Sequence, residues 1–173
     1  MENLPLMITD LEFLTNDVAK TVMETMVLPL FASLANKSRK HGHLVLLVPQ
    51  KAAVINMPYP SHPRFSPIAL YEHSLGLKED WEYDFKKIAR DKAEQLWLQQ
   101  NISGNMTSMS HMLFNNNTPF WGGHAEGLII AAFSGIQPYY DQLLSKTMLA
   151  GCIAIAEDHK QLWLEANPSE CFV

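Results

Sequence analysis

The fold of this chain is decided by residues 121–135, WGGHAEGLIIAAFSG. Two adjacent glycines open the stretch, and an apolar run from Leu128 to Phe133 follows them. Strands with one exposed face alternate apolar and polar residues, so an uninterrupted apolar run predicts a central strand buried on both faces. We interpret Gly122 and Gly123 as a tight turn leading into this strand, because glycine tolerates positive φ angles.

The same glycines do not match a phosphate-binding loop. Such a loop lies between a strand and the N-terminus of a helix, where free amides and the helix dipole meet the anion. Here the glycines precede a strand, and no Lys-Ser or Lys-Thr pair follows them. The pattern therefore favours a structural turn.

The N-terminal part of the chain predicts a long helix. Thr9 and Glu12 have the spacing of a capping box, which satisfies free amides of a first helical turn. Apolar residues then recur every three or four positions from Leu11 to Met26, the period of one helical face. Pro29 predicts a kink or a break, and Gly42 is interpreted as the glycine that ends the helix.

The rest of the chain alternates strands and helices. A hairpin is predicted from the apolar runs Leu44–Val48 and Ala52–Met57. A short helix is predicted over residues 66–76, a longer helix over Leu77–Gln100 and the closing helix over Gln137–Ala166. Strands grouped in two hairpins favour an α+β fold, in which an antiparallel sheet of about five strands has the helices packed on one face.

The length and the composition of the chain limit the classes of protein to which it can belong. A chain of 173 residues fits a single domain spanning residues 1–173. The net charge of −5, without a basic face, argues against a nucleic-acid partner. No apolar run approaches the length of a membrane span, and no signal-peptide pattern opens the sequence. Two cysteines without metal-site spacing indicate a reduced, cytoplasmic protein.

The surface is predicted to associate with itself. Only 18% of the residues are charged, and the chain contains nine Met and four Trp. Aromatic residues and Met are enriched at protein interfaces. We therefore expect a homodimer or a larger homo-oligomer.

One set of residues follows a pattern known from another family. The set is Gly122, Gly123, Phe133, Ser134, Gly135 and Asp141, with Lys92-Ala93 as a weaker match. It resembles the GlcG/HbpS-like family, which includes the C-terminal domain of PduO-type proteins. The order of elements is similar, although the first hairpin and the proline-rich segment after it differ from the family pattern. The resemblance implies the α+β fold described above, and some members resemble haem binders.

The candidate ligand-binding residues are His124, His111, Gly122 and Gly123. Haem iron accepts an imidazole ligand inside an apolar slot, and a flat ligand could approach the backbone closely at the glycines. The alternative is that each histidine is an ordinary, partly buried or surface residue. The pattern of a metal site or of a catalytic nucleophile is not found, and Cys152, between apolar neighbours, is expected to be an inert packed thiol.

Three hypotheses for function remain open at this point. The first is a GlcG/HbpS-like protein of unestablished activity, more a binding protein than an enzyme, whose candidate ligands are haem and other small molecules. The second is an accessory or small-molecule-processing enzyme domain within a larger assembly. The third is an interaction scaffold without a ligand.

Overall fold

The computed structural model describes residues 11–34, 39–49, 67–101 and 113–168. Within these ranges the chain forms a four-stranded antiparallel sheet in the order β2-β1-β4-β3. The strands are β1 (Gly42–Val48), β2 (Ile68–Leu75), β3 (Gly123–Glu126) and β4 (Ile129–Ser134). The helices are α1 (Asn16–Val22), α2 (Leu28–Leu34), α3 (Phe85–Trp97) and α4 (Pro138–Ala166), with a π-helical turn at Met23–Val27 and a 3₁₀ turn at Lys78–Asp80.

The predicted central strand is confirmed. Strand β4 lies between β1 and β3, and its residues from Ile130 to Ser134 are buried. Its start is shifted by one residue, because Leu128 belongs to the hairpin loop and is exposed. The turn itself is Gly127-Leu128, where Gly127 has a φ of +59°. The interpretation of Gly122-Gly123 as the turn is therefore wrong, since this pair leads into β3, but the positive φ that it invoked is found at Gly122, at +125°.

Helices cover both faces of the sheet, which corrects the expected packing on one face. The first and last helices share one face, with Leu44 and Phe133 in their core. Helix α3 covers the opposite face, against Val45 and Ala132. The physical reason lies in the apolar run itself, because a strand without a polar face needs cover on both sides. The described ranges hold four strands, not about five.

The first helix begins at Asn16 rather than near Thr9, which lies outside the described residues. Its N-cap is Thr15, whose side chain accepts from the Val18 amide at 3.3 Å. A π-helical turn precedes α2, so the chain stays helical through Pro29, and the hydrogen-bond pattern changes just before it.

The middle of the chain departs most from the sequence prediction. Residues 68–75 form strand β2, the antiparallel partner of β1, and not a short helix, while Ala52–Met57 lies outside the described residues. The longer helix is confined to α3, with Asp84 as its N-cap. Gly42 begins β1 and does not end a helix. The closing helix agrees with the prediction to within one residue.

No helix within the described ranges has the length and apolar character needed to cross a membrane.

Candidate functional site

A cavity of about 330 Å³ lies where β4 ends and α4 begins. We call it the α3–α4 cleft, because the first turns of α3 and α4 form two of its walls. Its volume is at the lower end of the range for small-molecule pockets. The lining residues are Arg39, His41, Glu82, Tyr83, Phe85, Ile88, Lys92, Phe120, Ser134, Gly135, Ile136, Gln137, Pro138 and Asp141.

Helix α3 points one face into the cleft. Phe85, Ile88 and Lys92 are spaced by three and four residues, so they lie on the same side of the helix. The neighbouring face, with Ala89 and Ala93, packs against the sheet. This arrangement fixes the cleft wall to the core, because α3 cannot rotate without exposing its apolar contacts.

A buried ion pair forms the floor of the α3–α4 cleft. The Nζ atom of Lys92 donates to Oδ2 of Asp141 and to the carbonyl oxygen of Phe133, each at 2.9 Å. The two charged side chains are 2% and 5% exposed. The pair joins α3 to the first turn of α4 across the end of β4, although the two residues are 49 positions apart.

Backbone groups hold the carboxylate in place. The amide of Ile136 donates to Oδ1 of Asp141 at 3.0 Å, and the nearby amide of Gly135 also helps to lower the pKa of this carboxyl group. Behind them, the hydroxyl of Ser145 accepts from the Phe133 amide and lies within hydrogen-bond distance of the Gly122 and Asp141 carbonyls. The floor of the cleft is therefore fixed by several elements at once.

Gly122 lies directly against this ion pair, which explains why the position requires glycine. Its φ is +125°, a backbone conformation that residues with a Cβ rarely adopt. A Cβ there would lie 2.7 Å from Cβ of Asp141, 2.8 Å from the Pro138 carbonyl and 3.2 Å from Nζ of Lys92. The absence of a side chain at Gly122 thus allows the backbone that leads into β3 to pack closely against the Lys92–Asp141 ion pair.

Burial shifts both titrating groups toward their neutral forms. Loss of water lowers the pKa of Lys92, with the attraction of Asp141 opposing the shift. Burial raises the pKa of Asp141, against the opposing effects of Lys92 and the backbone donors. A buried ion pair is a weak source of stability, because desolvation offsets much of the attraction. Ionisable groups perturbed in this way beside a cleft are typical of functional sites.

The rim of the α3–α4 cleft combines charge with aromatic surface. The guanidinium of Arg39 contacts the side-chain amide of Gln137 at N···O distances of 2.5 and 2.6 Å, with the amide oxygen accepting. Tyr83 and Phe85 pack edge to face, with ring centroids 6.2 Å apart. Such a mixture of apolar walls and a few polar groups is the usual lining of a small-molecule site.

The histidines predicted as ligands do not line this cleft. His124 lies on the edge strand β3 opposite Ala131, toward α4. Burial, followed by the nearby Lys146 ammonium, lowers the pKa of His124. His111 lies outside the described residues. The histidine at the cleft is His41, which was not among the predicted ligands.

Of the predicted glycines, Gly122 touches the floor of the α3–α4 cleft, and Gly123 faces α3 instead. A Cβ on Gly123 would lie 2.6 Å from Cδ1 of Leu96. Neither glycine is among the residues that line the cavity. Their role in this structure is to let β3 approach its neighbours closely.

Sequence reasoning missed most of the cleft. Arg39 and His41 belong to no sequence motif that would mark them as site residues. They reach the cleft because β1 begins beside the end of β4. Lys92 and Asp141 were singled out only through the family resemblance. A searchable signal existed in α3, where an isolated lysine falls on an otherwise apolar helical face.

The α3–α4 cleft does not fit a haem. Its volume is near the minimum for a drug-sized ligand, and its lining carries four charged side chains rather than an apolar slot. The one histidine in its lining, His41, lies at the rim and contacts the chain at Gly76.

A second polar cluster lies on the α3 side of β1 and β2. Glu72 binds Arg90 through two hydrogen bonds of 2.6 and 2.9 Å and lies 3.3 Å from Lys86. Buried His43 contacts the Ser74 hydroxyl at 2.9 Å. Burial lowers the pKa of His43 to about 4, despite the attraction of Glu72. This cluster ties β2 to α3 and is separate from the cleft lining.

Two further observations concern metal and thiol chemistry. Across the described part of the chain, no group of three or more His, Cys, Asp or Glu side chains is arranged to hold a metal ion. Burial raises the pKa of the Cys152 thiol to about 12, which agrees with an inert packed cysteine.

Comparisons with protein-family models, with curated protein sequences and with solved structures find no match to this chain.

Proposed function

We propose that the chain is a GlcG/HbpS-like domain that binds a small organic molecule in the α3–α4 cleft. The proposal names the cleft, not the edge strand around His124, as the place of binding. It treats the protein as a binding domain first, and any reaction would occur on a ligand held there.

One observation carries the proposal. Most of the residues that suggested the family resemblance meet at the floor of one cleft, although they are scattered over the sequence. Lys92 binds Asp141 and the Phe133 carbonyl, Ser134 and Gly135 line the cavity, and Gly122 packs against the pair. A fold does not need a buried ion pair for stability, so its position beneath a cavity favours a role toward a ligand.

The alternatives differ in what they require of the cleft. A ligand-free scaffold needs no cavity and places no demand on buried ionisable groups. A haem-binding protein would need an apolar slot beside an iron ligand, which the charged lining does not provide. An enzyme domain would use the same cleft, so it is distinguished from a pure binding domain only by turnover.

A thermal-stability screen tests the proposal. The purified chain is melted with separate additions of short carboxylic and oxo acids, phosphate esters, small aromatic alcohols and haemin. A ligand that binds only the folded state raises the melting temperature by mass action. We expect at least one class of small organic ligand to do so, and haemin to produce no Soret band that depends on His124.

A matched pair of variants localises the effect. Ile88→Trp fills the α3–α4 cleft from the face of α3, whereas Leu98→Trp adds the same group at an exposed position outside the cavity. The ligand-induced shift should vanish in Ile88→Trp and persist in Leu98→Trp. A shift that survives in both variants, or a haemin complex lost on His124→Ala, would overturn the assignment of the cleft.

A further inference from the structure

The proposed binding site also holds a reactive group. Resting on that proposed function, we infer that Lys92 is a nucleophilic amine that condenses with the carbonyl carbon of a small oxo acid in the α3–α4 cleft. The ligand class is a short molecule that carries a ketone or aldehyde next to a carboxylate. The product would be an imine between Nζ of Lys92 and the ligand.

The position of the amine is the first argument. Lys92 lines the cavity although its side chain is only 2% exposed. Its ammonium has three donors, and the contacts within the described structure use two of them, toward Asp141 and the Phe133 carbonyl. The nitrogen is therefore held in a fixed place beside the cavity with little exposure to solvent, and desolvation is one way in which a lysine is activated to form imines.

Asp141 supplies the proton transfers that the reaction needs. Its Oδ2 lies 2.9 Å from Nζ, so a proton can move from the ammonium to the carboxylate and leave a neutral amine. The amine adds to the carbonyl carbon, and one of its N–H protons passes to the carbonyl oxygen, so that the carbon–oxygen double bond becomes a C–OH group and the nitrogen stays neutral. Asp141 returns its proton as that hydroxyl leaves as water, and the resulting iminium again pairs with the carboxylate. One ammonium and one carbonyl compound thus give one iminium and one water.

The direction of both pKa shifts agrees with this sequence. Burial lowers the pKa of Lys92 and raises that of Asp141, and both shifts favour the neutral amine beside a protonated acid. Lysines are activated as nucleophiles by desolvation in this way.

The guanidinium of Arg39 is the reason why we expect the ligand to carry a carboxylate. Its guanidinium lines the same cavity as Lys92, and arginine binds carboxylates through two parallel hydrogen bonds. The Gln137 amide oxygen that now accepts from Arg39 is a neutral group, which a carboxylate can replace with a stronger, charge-assisted contact. The aromatic rings of Tyr83 and Phe85, which also line the cavity, offer an apolar surface to a short hydrocarbon part of the ligand.

Other lysines on α3 provide an internal comparison. Lys86 and Lys87 are more exposed and pair with the surface carboxylates of Glu72 and Asp91. Lys86 also lines an open cavity at the surface, but its amine is exposed to water and lacks the desolvation that activates a lysine as a nucleophile. General reactivity of surface lysines would therefore label these two residues first.

The test is reductive trapping of the imine. The folded protein is incubated with pyruvate as the probe, sodium cyanoborohydride is added, and the modified lysine is located by peptide mass spectrometry. We expect a single carboxyethyl group on Lys92, with Lys86 and Lys87 unmodified. Acetone lacks the carboxylate and should trap poorly, and acetate lacks the carbonyl and should form no adduct while it protects Lys92 from pyruvate.

Variants complete the test. Lys92→Arg keeps the charge and removes the nucleophile, so the adduct should disappear. Because this change can disturb the buried pair, Ile88→Trp serves as a second variant that retains Lys92 and fills the cavity; it should also abolish trapping. Adducts confined to exposed lysines, or labelling of Lys92 in Ile88→Trp equal to that in the parent chain, would overturn the inference. Stabilisation by pyruvate without an adduct would overturn the imine alone, whereas no stabilisation and no adduct with any ligand would overturn the proposed function as well.

Discussion

Replacing Gly122 by alanine should destabilise the fold far more than the same change at Gly127. Both glycines have positive φ angles, +125° and +59°. They differ in their surroundings, because a Cβ at Gly127 meets no atom within 4 Å, whereas one at Gly122 would lie 2.7 Å from Cβ of Asp141 and 2.8 Å from the Pro138 carbonyl. The pair separates backbone strain from steric contact.

The magnitudes follow from these two effects. An alanine in the left-handed region costs about 1–2 kcal/mol, which is the full expected cost at Gly127. At Gly122 the strained backbone costs about 1–3 kcal/mol, and forcing a methyl group into a packed site adds about 1–3 kcal/mol. The clashing atoms belong to backbone and to a carboxylate held by the backbone, so they have little freedom to move. Taking the middle of each range, we expect a difference of about 2 kcal/mol between the two variants.

Denaturant unfolding measures the difference directly. Both variants and the parent chain are unfolded in urea, and the free energies are compared at equal slopes. In a thermal melt the gap should be about 4–8 °C for a domain of this size. If Gly122→Ala and Gly127→Ala unfold at the same denaturant concentration, the close packing of Gly122 against the ion pair is wrong.

Three further predictions concern the ion pair, pH and assembly. Lys92→Met should lower the free energy of unfolding by about 3–5 kcal/mol, because it leaves Asp141 buried without its partner. In urea melts, the double variant Lys92→Met/Asp141→Asn should lose less stability than the sum of the two single variants. Additive losses would argue against coupling between the two side chains. His43 stays neutral in the fold but titrates near its ordinary pKa when unfolded, so stability should fall as pH drops from about 6.5 to about 4, by up to about 3 kcal/mol, and this range already includes the attraction of Glu72 for His43. The matched variant His43→Gln should show a smaller fall over that range, and an identical pH profile would contradict the role of His43. Sedimentation at micromolar concentration should give a homodimer or larger particle, and a 19.6 kDa species would refute self-association.

The parts of the fold that could be predicted from the sequence are those with an unambiguous local pattern. The run before Phe133 has no polar face, so its central position follows directly. The closing helix has a Pro at its first position and a long apolar period, and its bounds are correct to within one residue.

Strand β2 shows why other elements could not be predicted. Its polar residues Glu72 and Ser74 lie on the face of the sheet that α3 covers. Glu72 pairs with Arg90 of α3, and Ser74 pairs with His43 of β1. Without those partners the sequence has no clean alternation of apolar and polar positions, and a short helix fits equally well. Tertiary pairing decides the structure here.

The candidate site depends even more on distant contacts. Lys92 and Asp141 are 49 positions apart, and no local spacing predicts that they meet. Arg39 arrives through the antiparallel pairing that places His43 opposite Ser134. Histidines attract attention in a sequence, but the cleft is built around a lysine and a carboxylate.

Mapping the ligand position by NMR tests the central claim most directly. Amide spectra of the isotope-labelled chain are recorded while pyruvate is added. The account predicts that the shifted resonances concentrate in residues 134–141 and on the cleft face of α3, around Ile88 and Lys92. Shifts centred on His124 and the β3 edge, with the signals of residues 134–141 unchanged, would contradict it.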